Sequence, residues 1–332
     1  MSGLGVSFDD PVLEARILAG VDEVERQLAA AVDSPEAFVA EAAAHLLNAG
    51  GKRFRPLVVA LCAEFGDPAA PGVVPSAVVV ELTHLATLYH DDVMDEADKR
   101  RGALSANARW DNTLAILVGD YLFAQASDIV STLGPEAVRI QARTFSRLVR
   151  GQIRETIGPG DGDPLQHYLG VVADKTGSLI ATSARFGAMM SAAPVEVEHA
   201  LTEFGERIGA AFQLRDDIID VASETGESGK TPGTDLREGV PTLPVLLVQQ
   251  MSAGSTDPAE VRLLDLLGRP LTDDAEHAEA LEALRRHPAM DEARSYVQSE
   301  ADAARRLLEK LPDVPARAAL AALCDTVATR LG

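Results

Sequence analysis

The word Asp-Asp-x-x-Asp occurs twice in this chain, as Asp91-Asp92-Val93-Met94-Asp95 and again as Asp216-Asp217-Ile218-Ile219-Asp220. Each copy closes a strongly apolar segment of helical spacing, Leu82 to Tyr89 in the first and Ile208 to Leu214 in the second. Residues four apart share one face of a helix, so Asp91 and Asp95 point the same way, as do Asp216 and Asp220. Carboxylates gathered at the end of an apolar run repel one another unless cations lie among them. Hard divalent ions answer that need, and Mg²⁺ takes a few carboxylates together with water and substrate phosphates. Two such clusters facing each other predict a metal-bridged diphosphate site. Neither copy has the glycine and spaced oxygens of an EF-hand loop, which excludes a Ca²⁺ loop of that kind.

A net charge of −21 argues against a nucleic-acid partner and makes the few basic clusters conspicuous. Gly50-Gly51-Lys52-Arg53-Phe54-Arg55-Pro56 sets three cations in a glycine-led turn ahead of a helix. Free backbone N–H groups and the helix dipole favour an anion there. Asp98-Lys99-Arg100-Arg101-Gly102 follows the first acidic word directly, and its arginines suit bidentate phosphate contact. Lys175, Thr176 and Lys230 add two cations and a hydroxyl. His84 lies about two helical turns before Asp91 and shares roughly its face, as a core residue or as a site group. His90, next to Asp91, is expected to orient a neighbouring side chain rather than to bind metal.

The fold is expected to be all-α. Hydrophobic residues make up 46% of 332 and aromatics only 4%, which favours close helix packing. Residues 9–31 carry apolar positions in a three-four rhythm; Ser34 with Pro35 reads as the start of the next helix, which stops at Asn48-Ala49-Gly50-Gly51. Further helices are expected at 54–66, 74–95, 105–131, 135–157, 164–173, 175–191, 195–222, 241–251, 258–267, 275–286, 288–310 and 314–331. No alternating strand is evident, and no linker divides the chain, so 1–332 is read as a single domain. Ser223 to Val240, rich in Gly, Ser, Thr and charge, is expected to be a mobile flap beside the second acidic word. Cys62 and Cys324 read as small buried hydrophobes without a disulfide. The N-terminal stretch MSGLGVSFDDP shows no basic run followed by an apolar one, and apolar runs such as Pro56 to Ala63 fall short of a bilayer span, so no signal peptide, no integral membrane segment and a cytoplasmic location are expected.

Taken in order, GGKRFRP, ELTHLATLYHDDVMDEADKRRG, KTGSL, FQLRDDIIDV and GKTPGTDLREGVPTLPVLL closely resemble the trans-isoprenyl diphosphate synthases, or polyprenyl synthetases, over residues 15–330. The resemblance implies an isoprenoid-synthase-type helical bundle around a deep central cavity, and a homodimer. It also implies a Mg²⁺-dependent prenyltransferase, with three ions when substrate is bound, that joins isopentenyl diphosphate head-to-tail to an allylic diphosphate. Carried over position by position, Asp91, Asp95, Asp216 and Asp220 would bind the metal ions. Arg100, Lys175, Thr176, Gln213 and Lys230 would contact the allylic diphosphate; Lys52, Arg55, His84 and Arg101 would hold isopentenyl diphosphate. The catalytic set would then be Asp91, Asp95, Arg100, Lys175, Asp216 and Lys230. One departure is visible: many members carry lysine after Glu238-Gly239, whereas this chain has Val240.

Product length should depend on the helix before the first acidic word. Thr87 and Ala86 stand roughly one to one and a half turns below the expected metals. A bulky aromatic here stops elongation in the family; small residues leave the pocket open and imply a product longer than C20, in the C30–C50 range. The competing expectation is that small residues serve tight helix packing and that Phe123 or Tyr89 forms the floor. A geranylgeranyl or farnesyl diphosphate synthase is the main alternative. A terpene cyclase is disfavoured by the repeated acidic word and the second basic site, and a non-catalytic subunit of a two-component synthase by its intact carboxylates and arginines.

Overall fold

Asp10 accepts hydrogen bonds from the backbone N–H groups of Val12 (2.8 Å) and Leu13 (3.0 Å), and Pro11 takes the first helical position. This N-cap starts α1 (Pro11–Ala31), which turns Leu13, Ile17, Val21, Val24 and Leu28 inward, as their spacing predicts. α2 (Ala37–Asn48) begins later than Ser34 and Pro35 suggest. The Ser34 hydroxyl is used in the local turn, where it bonds to Glu36, and the helix starts without a side-chain cap.

The computed structural model describes residues 8–223 and 232–329. After α2 follow α3 (Phe54–Ala63), α4 (Val73–Met94), a hairpin of β1 (Lys99–Arg100) and β2 (Ala103–Leu104), α5 (Ala106–Arg109), α6 (Asn112–Ser131), α7 (Pro135–Ile157) and α8 (Pro164–Val172). A π turn, Ala173–Gly177, leads into α9 (Ser178–Met190) and α10 (Val195–Ala222). The remainder is α11 (Thr234–Glu238), α12 (Leu243–Met251), α13 (Pro258–Leu267), α14 (Asp274–Arg286), α15 (Ala289–Leu308) and α16 (Pro315–Thr329).

Three sequence expectations are corrected. The helix anticipated over 105–131 is two helices, because the backbone turns at Trp110 and Asp111 caps α6 by accepting from Leu114 N at 2.8 Å. Trp110 packs edge-on against Phe38 and His45. A strand pair exists after all: Lys99 pairs with Leu104 and Arg100 with Ala103, around the two-residue turn Arg101-Gly102. Both turn residues have positive φ (53° and 79°), the requirement of a type I′ hairpin, and the glycine supplies one of them. Finally, the stretch Ser223 to Val240 is not irregular throughout, since α11 forms within it; residues 224–231, the centre of the expected flap, lie outside the described residues.

Two compact units organise these elements. The first takes the chain up to Arg147, then Ser178–Gly205 and Leu307–Leu323. α4 is its spine, buried along most of its length and flanked by α3, α6 and α9. Close approach replaces bulk here. A Cβ on Gly119 would lie 2.3 Å from His90 Nε2 of α4, and one on Gly187 would lie 2.3 Å from the Val59 carbonyl oxygen, so α6 and α9 each approach a neighbouring helix closely at a glycine. α6 is long and apolar enough to cross a bilayer by length and composition; it buries Ala115, Val118, Leu122, Ala126 and Val130.

The second unit takes Leu148–Gly177, Glu206–Arg306 and the chain from Cys324 on. Within it α8 packs on the π turn and on α12, and α14 packs on α11 and α13. His277 of α14 bonds to the Gly233 carbonyl at 2.9 Å, where Gly233 opens α11 in the left-handed region.

Candidate active site

α4 runs into the first acidic word, and the helix sorts its three carboxylates by angle. Asp92, about 100° round from Asp91, faces inward and is fully buried. Its Oδ1 accepts from Arg100 Nε at 2.6 Å, while Oδ2 of Asp95 stands 3.9 Å from Arg100 Nη2. Burial pushes the Asp92 carboxyl upward in pKa, and Arg100 opposes that shift. Asp91 is half-buried, and the Asp95 side chain keeps 50% of its exposure. The outer carboxylates therefore meet solvent and the middle one anchors an arginine. Glu96, just beyond, is in the left-handed region and ends the helix.

The basic cluster lies in the same unit. Arg53 turns inward, with a left-handed backbone (φ 47°). It pairs with Glu25 of α1 and, at 3.3 Å, with buried Glu81 of α4, and it donates to the Leu47 carbonyl at 3.1 Å. Arg53 is thus neutralised and structural, and it leaves Lys52 exposed at the turn. Arg101 donates to the Leu46 carbonyl at 2.9 Å and to that of Gly50, so the β1–β2 turn is tied to the Gly50-Gly51 turn. Both glycines have positive φ; a Cβ on Gly51 would lie 2.6 Å from Arg53 Nη1 and 3.1 Å from Arg101 Cζ. Arg55 has its Nε buried without a hydrogen-bond partner, and burial lowers its pKa to about 10, with Glu81 opposing. His84 sits among these cations: burial first, then Arg55, Arg101, Arg100 and Arg53, hold its pKa well below the usual value. It is a neutral imidazole at pH 7. The structure brings Lys52, Arg55, His84, Arg100 and Arg101 into one unit with Asp91 and Asp95.

Of the two positions considered for product length, Ala86 is fully buried on α4, and its backbone carbonyl faces Gly119 of α6. Thr87 is half-buried, its hydroxyl bonded back to the His84 carbonyl at 2.8 Å. Tyr89 is fully buried and donates to the Ala42 carbonyl at 2.5 Å, which fixes it in the core. Phe123 of α6 stacks on Phe145 of α7 with centroids 3.9 Å apart. His90 lies 3.2 Å from the Ile116 carbonyl and 3.3 Å from Asp120, so it fastens α4 to α6.

In the second unit, α10 carries Gln213, Asp216, Asp217 and Asp220. Asp217, again the middle carboxylate, is only 4% exposed. It accepts from the Tyr168 hydroxyl of α8 and from Gln213 Nε2 at 3.1 Å. Burial, helped by Asp235, drives its pKa well upward. Gln213 in turn accepts from Thr176 Oγ1 at 3.1 Å. Lys175 pairs with Glu155 of α7 at 2.5 Å. Asp216 is exposed, with Arg215 Nη1 at 3.5 Å, and the Asp220 carboxylate accepts from the backbone N–H groups of Thr234 and Asp235, each at 3.3 Å. Lys175, Thr176, Gln213, Asp216 and Asp220 thus share the second unit; Lys230 lies outside the described residues. Val240, in the place of the missing lysine, is 41% exposed.

Among the described residues no group of three His, Cys, Asp or Glu side chains is gathered closely enough to hold an ion unaided. Mg²⁺ asks for less, since it keeps several waters and completes its shell with substrate phosphates. Exposed all-oxygen donors such as Asp95 and Asp216 fit that mode of binding. Sequence reasoning passed over Asp92 and Asp217, although the turn of about 100° per residue already pointed both inward. It also passed over Tyr168 and Glu81, whose contacts cross between distant segments and leave no local signal.

Exposed carboxylates beside a cluster of arginines define a protein that grips phosphate anions with the help of divalent metal. The polyprenyl synthetase family model matches residues 36–284, and the chain belongs to that family. Over 330 residues, 99% of this chain and 97% of the relative, it is 51% identical to nonaprenyl diphosphate synthase of Mycobacterium tuberculosis. It superposes with a TM-score of 0.88 and 47% identity on geranylgeranyl pyrophosphate synthase of Corynebacterium glutamicum complexed with calcium and isoprenyl diphosphate, covering 98% of this chain and 100% of that one. A decaprenyl diphosphate synthase from Rhodobacter capsulatus gives a TM-score of 0.86 at 31% identity, over 96% and 98% of the two chains. The fold is the all-α isoprenoid-synthase fold, and the chain is a prenyltransferase that uses isopentenyl diphosphate and an allylic diphosphate.

Proposed function

We propose that this chain condenses isopentenyl diphosphate with an allylic diphosphate, with Mg²⁺ as its metal, and carries elongation past C20 to a trans-polyprenyl diphosphate of the C30–C50 range. The observation that carries the reaction is the cluster of Arg55, Arg101 and Arg100 round neutral His84, beside Asp91 and Asp95. So many cations in an acidic chain need an anionic ligand, and the buried, unpartnered Arg55 Nε marks where one is wanted.

Asp91, Asp95 and Asp216, with Asp220 as a further candidate, are assigned to the metal ions, three in number with substrate bound. When bound, Mg²⁺ neutralises the allylic diphosphate and makes it a leaving group. Arg100, Lys175, Thr176, Gln213 and Lys230 bind that diphosphate and stabilise the charge that develops as the C–O bond breaks. Lys52, Arg55, Arg101 and His84 hold the diphosphate of isopentenyl diphosphate; His84, being neutral, contributes a hydrogen bond rather than a charge. Held in line, the double bond of isopentenyl diphosphate attacks the allylic carbon as the diphosphate departs. A proton then leaves from the new C5 unit to the departing diphosphate.

The likeness to nonaprenyl diphosphate synthase and the small residue at Thr87 support a product longer than C20; the likeness to a geranylgeranyl pyrophosphate synthase makes C20 the competing outcome. Homodimerisation is supported by Ile116 and Leu117, left 43% and 56% exposed on α6. Because multiply charged diphosphates do not cross a bilayer, the enzyme is placed with them in the cytoplasm. The purified chain, incubated with Mg²⁺, isopentenyl diphosphate and geranyl, farnesyl or geranylgeranyl diphosphate, should yield products beyond C20. A main product of C15 or C20 would refute the long-chain reading, and inactivity without a second protein would favour a two-component synthase.

A further inference from the structure

We propose that Asp174, Arg150 and Arg154 form a positioning clamp that sets Lys175 and Thr176 in place for the allylic diphosphate. The inference rests on the assignment of Lys175 and Thr176 to that ligand.

Between α8 and α9 the chain widens into the π turn Ala173–Gly177. Such turns are rare, cost helical regularity and recur where a side chain must be re-aimed. This one sends neighbouring side chains in opposite senses, with Asp174 buried and Lys175 and Thr176 half-buried. Asp174 is held on both oxygens. Its Oδ2 accepts from Arg150 Nε and from Arg154 Nη1, each at 3.2 Å, and its Oδ1 accepts from Arg150 Nη2 at 3.4 Å. Arg150 and Arg154 are four apart on α7, so both reach the same carboxylate.

Gly151, on the same helix, brings the α7 backbone onto the turn. A Cβ there would lie 3.0 Å from Lys175 N and 3.2 Å from Asp174 Cβ. Further tethers act on the ligand-facing side chains, from Lys175 to Glu155 at 2.5 Å and from Thr176 to Gln213 at 3.1 Å. Neutralising buried Asp174 requires the two arginines, but it requires neither the widened turn nor the glycine. What this arrangement fixes is the origin from which Lys175 and Thr176 project.

The test is steady-state kinetics of Asp174→Asn, Gly151→Ala, Lys175→Ala and the double variant Asp174→Asn/Lys175→Ala, with thermal unfolding to verify the fold. Asp174→Asn removes the charge that holds both arginines; Gly151→Ala displaces the turn and touches no charge. Each should raise KM for the allylic diphosphate by about tenfold or more, and leave KM for isopentenyl diphosphate within about twofold. The double variant should be scarcely worse than Lys175→Ala alone, because both changes act through one contact. Equal effects on the two substrates, or full additivity in the double variant, would mark the clamp as merely structural and overturn the proposal. If Lys175→Ala raises the allylic KM while Asp174→Asn and Gly151→Ala do not, the clamp fails and the assignment of Lys175 stands. If Lys175→Ala leaves that KM unchanged, the assignment fails and takes the clamp with it.

Discussion

Arg100 donates from Nε to Oδ1 of Asp92 at 2.6 Å, and this contact divides the labour within the first acidic word. The middle carboxylate fixes the arginine, and the outer pair is left toward solvent. The second acidic word repeats the plan with other partners, since Asp217 is buried against Tyr168 and Gln213 while Asp216 is exposed. Two segments distant in sequence thus arrive at the same arrangement, which follows from the angle between successive helix residues.

That division predicts separable losses. Asp92→Ala removes the buried hydrogen-bond partner of Arg100 and should lower unfolding free energy by about 1–3 kcal/mol. Asp95→Ala, at an exposed position, should stay within about 0.5 kcal/mol. Both should reduce kcat by about 10²-fold or more. Urea denaturation alongside steady-state kinetics checks the contrast, and equal stabilities would sink it.

Chelation should abolish activity, and added Mg²⁺ should restore it. Asp95→Ala and Asp216→Ala should need several-fold more Mg²⁺ for half-maximal rate, because each removes an oxygen donor on which the ion depends. A Mg²⁺ titration of each variant decides this; unshifted curves would remove those carboxylates from the metal site.

Product length should respond to Thr87 rather than Ala86. Thr87→Phe should shorten the main product by at least one C5 unit while the protein stays folded. Ala86→Phe, at a fully buried position, should overpack its surroundings and cost about 1–3 kcal/mol. Chain-length analysis with a thermal melt separates the two effects.

His84 gives a pH signature. Its pKa in the folded protein is held well below the ordinary value near 6.5 by burial and by Arg55, Arg101, Arg100 and Arg53. The unfolded chain therefore binds the proton first as pH falls, so this contribution to stability is complete above about pH 6.5 and shrinks below it. His84→Asn should flatten the decline in stability between about pH 6.5 and 5. Parallel wild-type and variant curves in pH-dependent urea denaturation would contradict this account.

Arg53 should matter for stability more than its surface-like sequence context suggests. Arg53→Ala removes the cation directly paired with buried Glu81, with Arg55 and Arg101 still acting on it, and should cost about 3 kcal/mol, read as a fall in the urea midpoint.

Much of the helical plan was legible in the order of residues, because apolar periodicity, the Asp10 cap and the glycine and proline breaks act locally. The boundary errors fell where a side chain was used otherwise than its type suggests, as with Ser34, or where a long-range contact fixed a break, as at Trp110. The Arg101-Gly102 hairpin was too short to show alternation, although its turn residues were present.

The sequence by itself determined the chemistry on offer: two acidic words, two basic clusters and the helical spacing that aligns Asp91 with Asp95 and Asp216 with Asp220. Only the tertiary structure decided which of those groups are neutralised within the fold and which are not. Arg53 and Arg55 are two residues apart in one basic run, yet the first is neutralised by Glu25 and Glu81 and the second keeps a buried, unpartnered Nε. Ala86, read as a possible pocket floor, is fully buried on α4, a degree of burial that its own residue type did not announce. The reason is physical: charge and helical angle belong to each residue and its near neighbours, whereas neutralisation, burial and close approach depend on partners that folding brings from elsewhere in the chain.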